Sequence, residues 1–466
     1  MNVPPTVDTV SVIGTGYLGI VQAAVLAEQG LRVLALDRDP ERVDTLARGI
    51  LPIAEPGLEE VFTIARESGR LTFTTDHADL APAQVHLLCV GTPQSADGHA
   101  TDTSSVFGAA LALAPHLRPE AIVVGRSTVP VGTAAAVQAA LSAAAGRDVA
   151  VVWSPEFVRQ GCAVADTQRP SRLVYGVGRA CPTTLAMVDE VFAPQLAAGT
   201  PRIVVDHATA ELAKQAANAF LATKVSFVNA VAEVCERSGA DVKALSAALG
   251  LDPRIGHQFL SAGLGFGGGC LPKDLNGFLA RAQECGADSA AALLHEVAQV
   301  NQRARTDVVD LAVEMVGGSV QGRRVAVLGA AFKPGTDDVR ESPALRVAVE
   351  LQALGADVMV HDPLALDNAR RAQPSLRYAE TVESACWGSD LTLHLTDWPE
   401  FQAIDPVDLG RLVRRRCLID GRHTLSSERW SAAGWSYRAF GRPLAATALD
   451  AEREALVPEL RTWSTA

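Results

Sequence analysis

The sequence has no run of 18 or more apolar residues and no pair of cysteines in C-x-x-C spacing. A membrane-spanning helix needs about 20 such residues, so an integral helical membrane protein is disfavoured. Its eight cysteines also lack the spaced Cys/His sets of zinc sites and are too few for a disulfide framework in 466 residues. We therefore expect reduced cysteines and no metal. The first residues show no basic region before an apolar core, so we expect a cytoplasmic protein.

Basic charge is also scarce. The formal net charge is −12, which disfavours nucleic acid as a partner because phosphate binding needs basic surface. Only five of the 41 basic residues are lysines, and three of them, Lys214, Lys273 and Lys333, lie in motif-like stretches. The length predicts two or three domains, because a single core rarely extends beyond about 300 residues.

The N-terminal stretch combines an apolar strand at residues 7–13 with the sequence GTGYLG at 14–19 and a helical pattern after it. Glycines in this spacing allow a tight turn and let a pyrophosphate approach the helix N-terminus. A second strand ends at Asp37, where a carboxylate would accept from ribose hydroxyls and disfavour a 2′-phosphate. The pattern predicts NAD rather than NADP, although Arg38 and Arg42 leave a phosphate site open. A merely tight turn is the alternative.

Three further apolar strands are each followed by small or polar residues. Thr92, Thr128 and Glu156 follow the strands at 85–90, 121–125 and 149–153. The carboxyl ends of parallel strands line the ligand crevice, so these side chains should converge near the cofactor. The alternative is turn chemistry, since Thr-Pro, Val-Pro and Ser-Pro pairs end strands without any function.

A helical pattern of unusual length follows at residues 209–237. Such a helix commonly links domains or forms a dimer interface. Lys214 and Asn218 are four residues apart and therefore share one face. They are polar residues in a stretch that is mainly Ala and Val, which favours a functional role. The alternative is that they lie on an ordinary solvent-exposed edge of the helix.

The stretch GLGFGGGCLPKD at 263–274 surrounds one cysteine with five glycines in seven residues. Glycine disfavours helix and strand, so the pattern favours a place where a ligand or strained backbone comes close, and we expect the glycines to leave room for a ligand. Cys270 with Lys273 nearby is a candidate nucleophile, because a cation supports a thiolate. A surface loop with a small buried cysteine is the alternative.

The last third repeats the α/β pattern, with strands at 324–328, 357–361, 391–395 and 417–419. Ser342 followed by Pro343 predicts a helix cap and first turn. The three-glycine spacing is missing, so a second complete dinucleotide site is disfavoured. Lys333 and Arg340 would suit the nucleotide part of a substrate.

Taken together, these stretches resemble the nucleotide-sugar 6-dehydrogenases, most closely the UDP-glucose 6-dehydrogenase branch. The resemblance runs in order from about residue 8 to residue 425. It rests on the motifs GTGYLG, LPIAEPGL, VGTP, STVPVGT, SPEFVRQG, GFGGGCLPKD, FKPGTDDVRESPA, LTDWPEF and IDGR.

The resemblance implies an NAD-dependent, four-electron oxidation of UDP-glucose to UDP-glucuronate through Cys thiohemiacetal and thioester intermediates. The same chemistry on GDP-mannose or a UDP-N-acetylhexosamine is the close alternative. A non-catalytic nucleotide-sugar-binding protein and a β-hydroxyacid-type dehydrogenase are more distant ones. A homodimer is implied as well.

Site residues are carried over by motif position. The catalytic set is Cys270 as nucleophile, Lys214 and Asn218 at the oxyanion, Asp274 in proton transfer, and Thr128 and Glu156 near the water and nicotinamide. The cofactor set is Gly14, Gly16, Tyr17, Leu18, Gly19, Asp37, Arg42, Thr92, Thr128, Glu156, Lys273 and Arg340. The substrate set is Phe157, Val158, Lys214, Asn218, Arg254 from the neighbouring subunit, Phe266, Gly267, Phe332, Lys333 and Arg422.

The implied fold class is α/β with three domains and a tail. The expected parts are an N-terminal Rossmann-like NAD domain at 1–205, a central long-helix dimerisation region with the cysteine loop at 206–316, a C-terminal α/β nucleotide-sugar-binding domain at 317–445, and a tail at 446–466. The chain departs from the family pattern at three positions. Gln160 stands where a Glu is usual, Gly269 where a Ser is usual, and Ala54 where an aromatic is usual. Loss of the Glu is what supports the non-catalytic alternative.

Overall fold

A computed structural model describes residues 6–95, 100–179 and 181–442. The chain forms two compact units. The first combines residues 1–217 with 276–287, and the second combines 218–275 with 288–466. The predicted tail at 446–466 lies outside the described residues, and the predicted domain boundaries stay predictions.

An eight-stranded sheet forms the centre of the first unit. Its strand order is β3-β2-β1-β4-β5-β6-β7-β8. The strands are β1 Thr9–Ile13, β2 Arg32–Leu36, β3 Leu71–Thr74, β4 Val85–Leu88, β5 Ile122–Gly125, β6 Ala150–Trp153, β7 Leu173–Val177 and β8 Arg202–Asp206. Pairing is parallel from β3 to β6, and β7 runs antiparallel to β6. The order changes direction between β1 and β4, which is where a doubly wound sheet opens its ligand crevice.

Helices cover the sheet of the first unit. They are α1 Tyr17–Glu28, α2 Pro40–Ala47, α3 Leu58–Glu67, α4 Ser104–Leu113, α5 Thr133–Ala145, α6 Ala163–Gln168, α7 Pro182–Val191 and α8 Ala193–Ala197. Nine consecutive residues of α1, 19–27, are buried. A helix that is apolar all round requires cover on every side, which the sheet, α3 and α6 provide here.

A buried histidine in this sheet makes the stability of the first unit sensitive to acid. His86 on β4 is hydrogen-bonded through Nδ1 to the hydroxyl of Ser11, its partner on β1, at 2.8 Å. Burial lowers the pKa of His86 from 6.5 to about 3. Between pH 6.5 and about pH 3, His86 binds a proton in the unfolded chain but not in the folded chain. The contribution of neutral His86 to the free energy of unfolding is therefore fully present above pH 6.5 and is lost as the pH drops.

We therefore expect His86→Gln to flatten the loss of stability in acid. Between pH 6 and 4 the free energy of unfolding of the wild type should fall more steeply than that of the variant, by up to about 1.4 kcal/mol per pH unit. Urea unfolding at a series of pH values measures both slopes. His295→Gln, at an exposed position in the helix Asp288–Met315, is the control. Equal slopes for wild type and His86→Gln would contradict the assignment.

Three long helices occupy the middle of the sequence. They are α9 His207–Ser238, α11 Leu271–Glu284 and α12 Asp288–Met315, with the shorter α10 Val242–Gly250 between the first two. The observed α9 exceeds the predicted helix at 209–237 by two residues at its start and one at its end. The division between the two units passes through both α9 and α11.

The second unit contains a six-stranded parallel sheet in the order β11-β10-β9-β12-β13-β14. Its strands are β9 Arg324–Leu328, β10 Asp357–His361, β11 Arg377–Tyr378, β12 Leu391–His394, β13 Cys417–Asp420 and β14 Ser436–Ala439. Its helices are α13 Pro343–Ala353, α14 Leu366–Ala372, α15 Val382–Cys386, α16 Pro399–Gln402, α17 Pro406–Leu409 and α18 Ser427–Ala432. Ser342 caps α13 as predicted, accepting from the Leu345 amide at 3.3 Å.

The α/β prediction with a Rossmann-like first part and a second α/β part is confirmed. The internal antiparallel β7 and the edge strands β3, β8, β11 and β14 were not predicted. The edge strands carry weaker apolar patterns, whereas β7 is buried throughout. Among the described helices, none combines the length and apolar character needed to cross a membrane.

Candidate active site

The turn between β1 and α1 has the geometry that the three glycines predict. Gly14 has a φ of 93°, and a Cβ there would lie 3.0 Å from the carbonyl oxygen of Cys89. A Cβ on Gly19 would lie 1.8 Å from the Gly14 carbonyl oxygen, so α1 packs against the turn only with glycine. A Cβ on Gly16 would meet no protein atom within 4 Å. Protein packing therefore explains Gly14 and Gly19, whereas Gly16 borders open space at the helix start.

Asp37 directly follows β2 and lies beside this turn. Its Oδ2 accepts from the backbone amide and the hydroxyl of Thr15, both at 2.8 Å, and its Oδ1 accepts from the Asp39 amide at 3.1 Å. Arg42 donates to the Thr15 carbonyl oxygen at 3.3 Å. The carboxylate is thus fixed half-buried at the turn, and the guanidinium is directed to the backbone of the same turn.

These residues fit NAD. An open space above Gly16 at the N-terminus of α1 suits a pyrophosphate, since the first turn of a helix presents backbone N–H groups and positive partial charge. The fixed carboxylate of Asp37 suits ribose hydroxyls and opposes a 2′-phosphate. Gly14, Gly16, Tyr17, Leu18, Gly19 and Asp37 would hold the dinucleotide. No cluster of three or more His, Cys, Asp or Glu able to bind a metal occurs among the described residues.

The other strand ends of the first unit supply the remaining predicted residues. The buried Thr92 hydroxyl, beyond β4, donates to the Thr128 carbonyl oxygen beyond β5 at 2.8 Å. Ser127 donates to the Val90 carbonyl oxygen at 2.7 Å. The loops that carry Thr92 and Thr128 are therefore joined to each other, as their positions at one sheet edge predict.

Glu156, beyond β6, lies beside Lys214 of α9. Its Oε1 is 3.9 Å from the Lys214 Nζ, and its Oε2 accepts from the Val158 amide. Lys214 is only 5% exposed. The same ammonium lies 5.3 Å from the centre of the Phe157 ring, whose centre lies 3.6 Å from the Arg172 guanidinium carbon. The structure thus brings together four predicted residues: Glu156, Phe157, Val158 and Lys214.

A second group forms around Asp274. Its Oδ2 accepts from the Asn218 side-chain amide at 2.5 Å, and its Oδ1 accepts from the Lys273 ammonium at 2.6 Å. Asp274 is 2% exposed and lies in the first turn of α11, four residues after Cys270. Cys270 immediately precedes α11, and its carbonyl oxygen accepts from the Asp274 amide at 2.8 Å. Cys270, Lys273 and Asp274 therefore lie together at the N-terminus of α11. The side-chain amide of Asn218, on α9, reaches the same place through its bond to Asp274.

The thiol of Cys270 is exposed, which distinguishes it from the buried cysteines 89, 235, 386 and 417. All eight cysteines lie in the described part of the chain, and none forms a disulfide. Burial raises the pKa of Cys89 to about 12, so that thiol is unreactive. The alternative interpretation of Cys270 as a small buried cysteine is wrong.

The glycines before Cys270 are packed against the chain itself. A Cβ on Gly267 would lie 2.2 Å from the Glu341 carbonyl oxygen, one on Gly268 would lie 2.7 Å from the Phe332 ring, and one on Gly269 would lie 2.4 Å from the Arg340 guanidinium carbon. Phe266, which directly precedes them, exchanges two hydrogen bonds with Asn301. At Gly267 the close neighbour is backbone, so the expectation that the glycine leaves room for a ligand is wrong there. The close neighbours of Gly268 and Gly269 are the side chains of Phe332 and Arg340, and for these two glycines the expectation stays a prediction.

The predicted substrate residues of the second unit converge on this loop. Arg422 donates to the carbonyl oxygens of Leu395 at 2.7 Å and Phe332 at 3.3 Å. Lys333 Nζ lies 5.9 Å from the centre of the Phe332 ring. Arg340 is paired with Asp338 at 2.6 Å, which raises the pKa of its guanidinium.

Arg254 differs from the other predicted substrate residues. Its side chain is 87% exposed and pairs with Asp252 at 2.6 Å in the loop after α10. Lys224 of α9 anchors that loop by donating to the Ile255 carbonyl oxygen at 2.9 Å. The structure thus places Arg254 at the surface.

Sequence reasoning missed three buried residues that support these groups. Glu211, one turn before Lys214, accepts from the amides of Gly132 at 2.7 Å and Ala134 at 2.6 Å, and so joins α9 to the STVPVGT loop. Asn301 holds the glycine loop, and Glu55 binds the loop after Glu156. Asn301 occupies one position of the otherwise apolar buried face of α12, between Val297 and Ala304, and this is a signal that would have identified it.

Models of one protein family match most of the chain. The chain matches the UDP-glucose/GDP-mannose dehydrogenase family in its NAD binding domain over residues 8–196, its central domain over 208–303 and its UDP binding domain over 326–427.

Individual relatives match over nearly their full lengths. A UDP-glucose 6-dehydrogenase of Bacillus subtilis is 41% identical over 438 residues, 93% of each chain. The structure of a UDP-glucose dehydrogenase from Pyrobaculum islandicum has a TM-score of 0.85 at 36% identity, covering 92% of this chain and 97% of that one. A UDP-D-ManNAc dehydrogenase structure from Pyrococcus horikoshii has a TM-score of 0.82 at 25% identity, covering 93% and 99%. The protein belongs to the UDP-glucose/GDP-mannose dehydrogenase family.

Proposed function

We propose that this protein is an NAD-dependent UDP-glucose 6-dehydrogenase that converts UDP-glucose to UDP-glucuronate. The observation that carries the proposal is the exposed Cys270 thiol at the start of α11, one turn from a buried Asp274 that binds both Asn218 and Lys273. The 41% identity to a Bacillus subtilis UDP-glucose 6-dehydrogenase supports UDP-glucose as the substrate.

In the first half of the proposed reaction, the sugar C6 alcohol is oxidised to an aldehyde. NAD held at the turn of residues 14–19 would supply the hydride acceptor, with a fresh NAD needed for each half of the reaction. The alcohol proton leaves through the carboxylate groups of the site, for which Asp274 and Glu156 are the candidates. Lys214, a buried cation, stabilises negative charge that develops on the C6 oxygen, and Asn218 orients that oxygen.

In the second half, the Cys270 sulfur adds to the aldehyde carbon, and the thiol proton passes to the oxygen to give a thiohemiacetal. Loss of the hydroxyl proton and the second hydride gives a thioester. Water then adds to the carbonyl carbon, the carbon–sulfur bond breaks, and the thiol is restored as the carboxylate leaves. In the overall reaction, one sugar alcohol, two NAD and one water are converted to one carboxylate, two NADH and three protons.

A panel of nucleotide sugars tests the substrate. UDP-glucose, GDP-mannose and two UDP-N-acetylhexosamines are incubated with the enzyme and NAD, and NADH is measured for each. We expect kcat/KM for UDP-glucose to exceed the others by at least about 10²-fold, because a pocket that hydrogen-bonds one substituent rejects its replacement. A preference for another sugar would redirect the proposal within the family, and no NADH from any sugar would favour a binding protein.

A homodimer is the proposed assembly. Phe220, Phe227 and Val234 of α9 are 66%, 54% and 62% exposed. Their spacing of seven residues places them on one face of the helix. Two phenylalanines and a valine exposed in one row are unusual for a free surface and fit a second copy of the same helix.

We expect Phe227→Glu to convert the dimer to a monomer, since a charge buried against an apolar partner is strongly unfavourable. Light scattering during gel filtration measures the mass. Val407→Glu, at a 47% exposed position on α17, is the control and should leave the mass unchanged. A wild type that elutes as a monomer would contradict this assembly.

The cytoplasm is the proposed location. The role assigned to the Cys270 thiol requires that it stay reduced, and a reducing compartment provides this condition.

A further inference from the structure

Glu55 is a buried carboxylate that the proposed reaction does not use. It lies in the sequence LPIAEPGL between α2 and α3 and is 9% exposed. Its carbonyl oxygen accepts from the Leu58 amide at 3.1 Å, which fixes the residue to the start of α3. A charged group in this apolar setting is costly unless it is fully hydrogen-bonded.

One of its contacts is with the dinucleotide turn. The Tyr17 hydroxyl donates to Glu55 Oε2. Tyr17 is the first residue of α1 and directly follows Gly16. Glu55 is therefore bonded to the residue at the helix start where the pyrophosphate is expected.

The other contacts are with the loop that follows Glu156. Gly161 N donates to Glu55 Oε2 at 2.8 Å, and Ala163 N donates to Oε1 at 2.6 Å. Gly161 N also donates to the Tyr17 hydroxyl oxygen at 3.2 Å. Tyr17, Glu55 and Gly161 thus form a closed triangle of hydrogen bonds in the first unit.

Only a carboxylate satisfies this arrangement. All three partners of Glu55 donate, and both of its oxygens are used. A glutamine would turn one NH₂ group towards a donor, leaving that donor without an acceptor. The substitution Glu55→Gln therefore removes part of the network while preserving side-chain size.

The loop is also fixed at its other end. Glu156 accepts from the Val158 amide and lies 3.9 Å from the Lys214 ammonium. Arg159 forms a two-pronged pair with Asp166, with both distances 2.9 Å. Residues 156–163 are therefore bonded to the rest of the first unit at both ends.

We propose that Glu55 is a positioning residue that couples occupancy of the dinucleotide turn to the placement of the loop carrying Glu156. The inference rests on the proposed function for the assignment of NAD to the turn and of Glu156 to the reaction. A ligand that orders the start of α1 immobilises Tyr17, and the Tyr17–Glu55–Gly161 contacts extend that order to the loop. A second ligand that needs the ordered loop then pays a smaller cost in conformational entropy. The two binding events are coupled in this way without a large movement of the chain.

Hydrogen exchange in the full-length protein, with NAD as the only ligand, tests the coupling. In the wild type we expect NAD to slow exchange in two peptides, one covering residues 14–20 and one covering 157–163. In Glu55→Gln and in Tyr17→Phe we expect NAD to protect the first peptide still, whereas the added protection of the second falls by about tenfold. Tyr17→Phe removes a single hydroxyl and serves if Glu55→Gln fails to fold. Glu60→Gln, an exposed carboxylate on α3, is the control.

Turnover provides the second measurement. We expect kcat to fall about tenfold in each single variant and to fall no further in the double variant, because the two residues act through one contact. A residue that only stabilises the fold would lower Tm and leave kcat unchanged per folded molecule.

Two outcomes would overturn the coupling role of Glu55 and leave the proposed function standing. The first is full protection of residues 157–163 by NAD in both variants, and the second is additive losses of kcat in the double variant. Failure of the proposed function has a different signature. If the wild type binds NAD with coupled protection but oxidises no nucleotide sugar, the coupling stands and the substrate assignment is wrong. If the wild type binds no NAD, the cofactor assignment and this inference are both wrong.

Discussion

Replacement of Cys270 by alanine is expected to lower the rate of uronate formation by about 10³-fold or more. Without the thiol the aldehyde has no covalent attachment, so the thiohemiacetal and thioester do not form. The first oxidation does not require the sulfur, and NADH should stop at or below one equivalent per active site. Rapid-mixing absorbance at the NADH band, with product analysis by mass, measures both quantities.

Cys181→Ala is the matched control for this experiment. Cys181 is also exposed and also directly precedes a helix, α7, where hydrogen bonds from the amides of Thr184 and Thr183 lower its pKa. Activity should be unchanged in that variant. If Cys270→Ala still released two NADH per sugar, covalent capture by this residue would be refuted.

Lys214→Ala is expected to lower kcat by about 10²- to 10³-fold, the usual effect of removing one group that stabilises an oxyanion. The ammonium is buried beside Glu156 and Phe157, so its removal also leaves the carboxylate without that cation. Small primary amines such as methylamine should restore part of the rate by entering the space that is left. Steady-state kinetics with and without amine measures the rescue.

Lys243→Ala, at an exposed position on α10, controls for the loss of one positive charge. A role in folding alone would appear as a lower Tm with no rescue by amines. A Lys214→Ala enzyme with wild-type kcat would remove this residue from the reaction.

The sequence predicted the sites that depend on local geometry. The turn from Gly14 to Gly19 and the end of β2 at Asp37 follow from short-range rules about glycine and strand ends, and the structure agrees with them. The cap at Ser342 is local in the same way. Such features are encoded within a few residues and are therefore readable from the chain.

Features that depend on distant partners were less readable. The glycines at 267–269 were assigned to a ligand, whereas the atoms nearest to them belong to Glu341, Phe332 and Arg340, about 65 to 75 residues later in the chain. The bond between Asn218 and Asp274 joins residues 56 apart. Glu55 was passed over inside its own motif, because its three donors lie on α1, in the loop before α6 and at the first residue of α6.

The number of NADH molecules formed per UDP-glucose consumed tests the central claim most directly. The wild-type enzyme is given limiting UDP-glucose and excess NAD, the total NADH is read at the end point, and the sugar product is identified by mass. A four-electron oxidation on one enzyme predicts two NADH per sugar and UDP-glucuronate as the product. One NADH per sugar with an aldehyde product, or no NADH at all, would contradict the account.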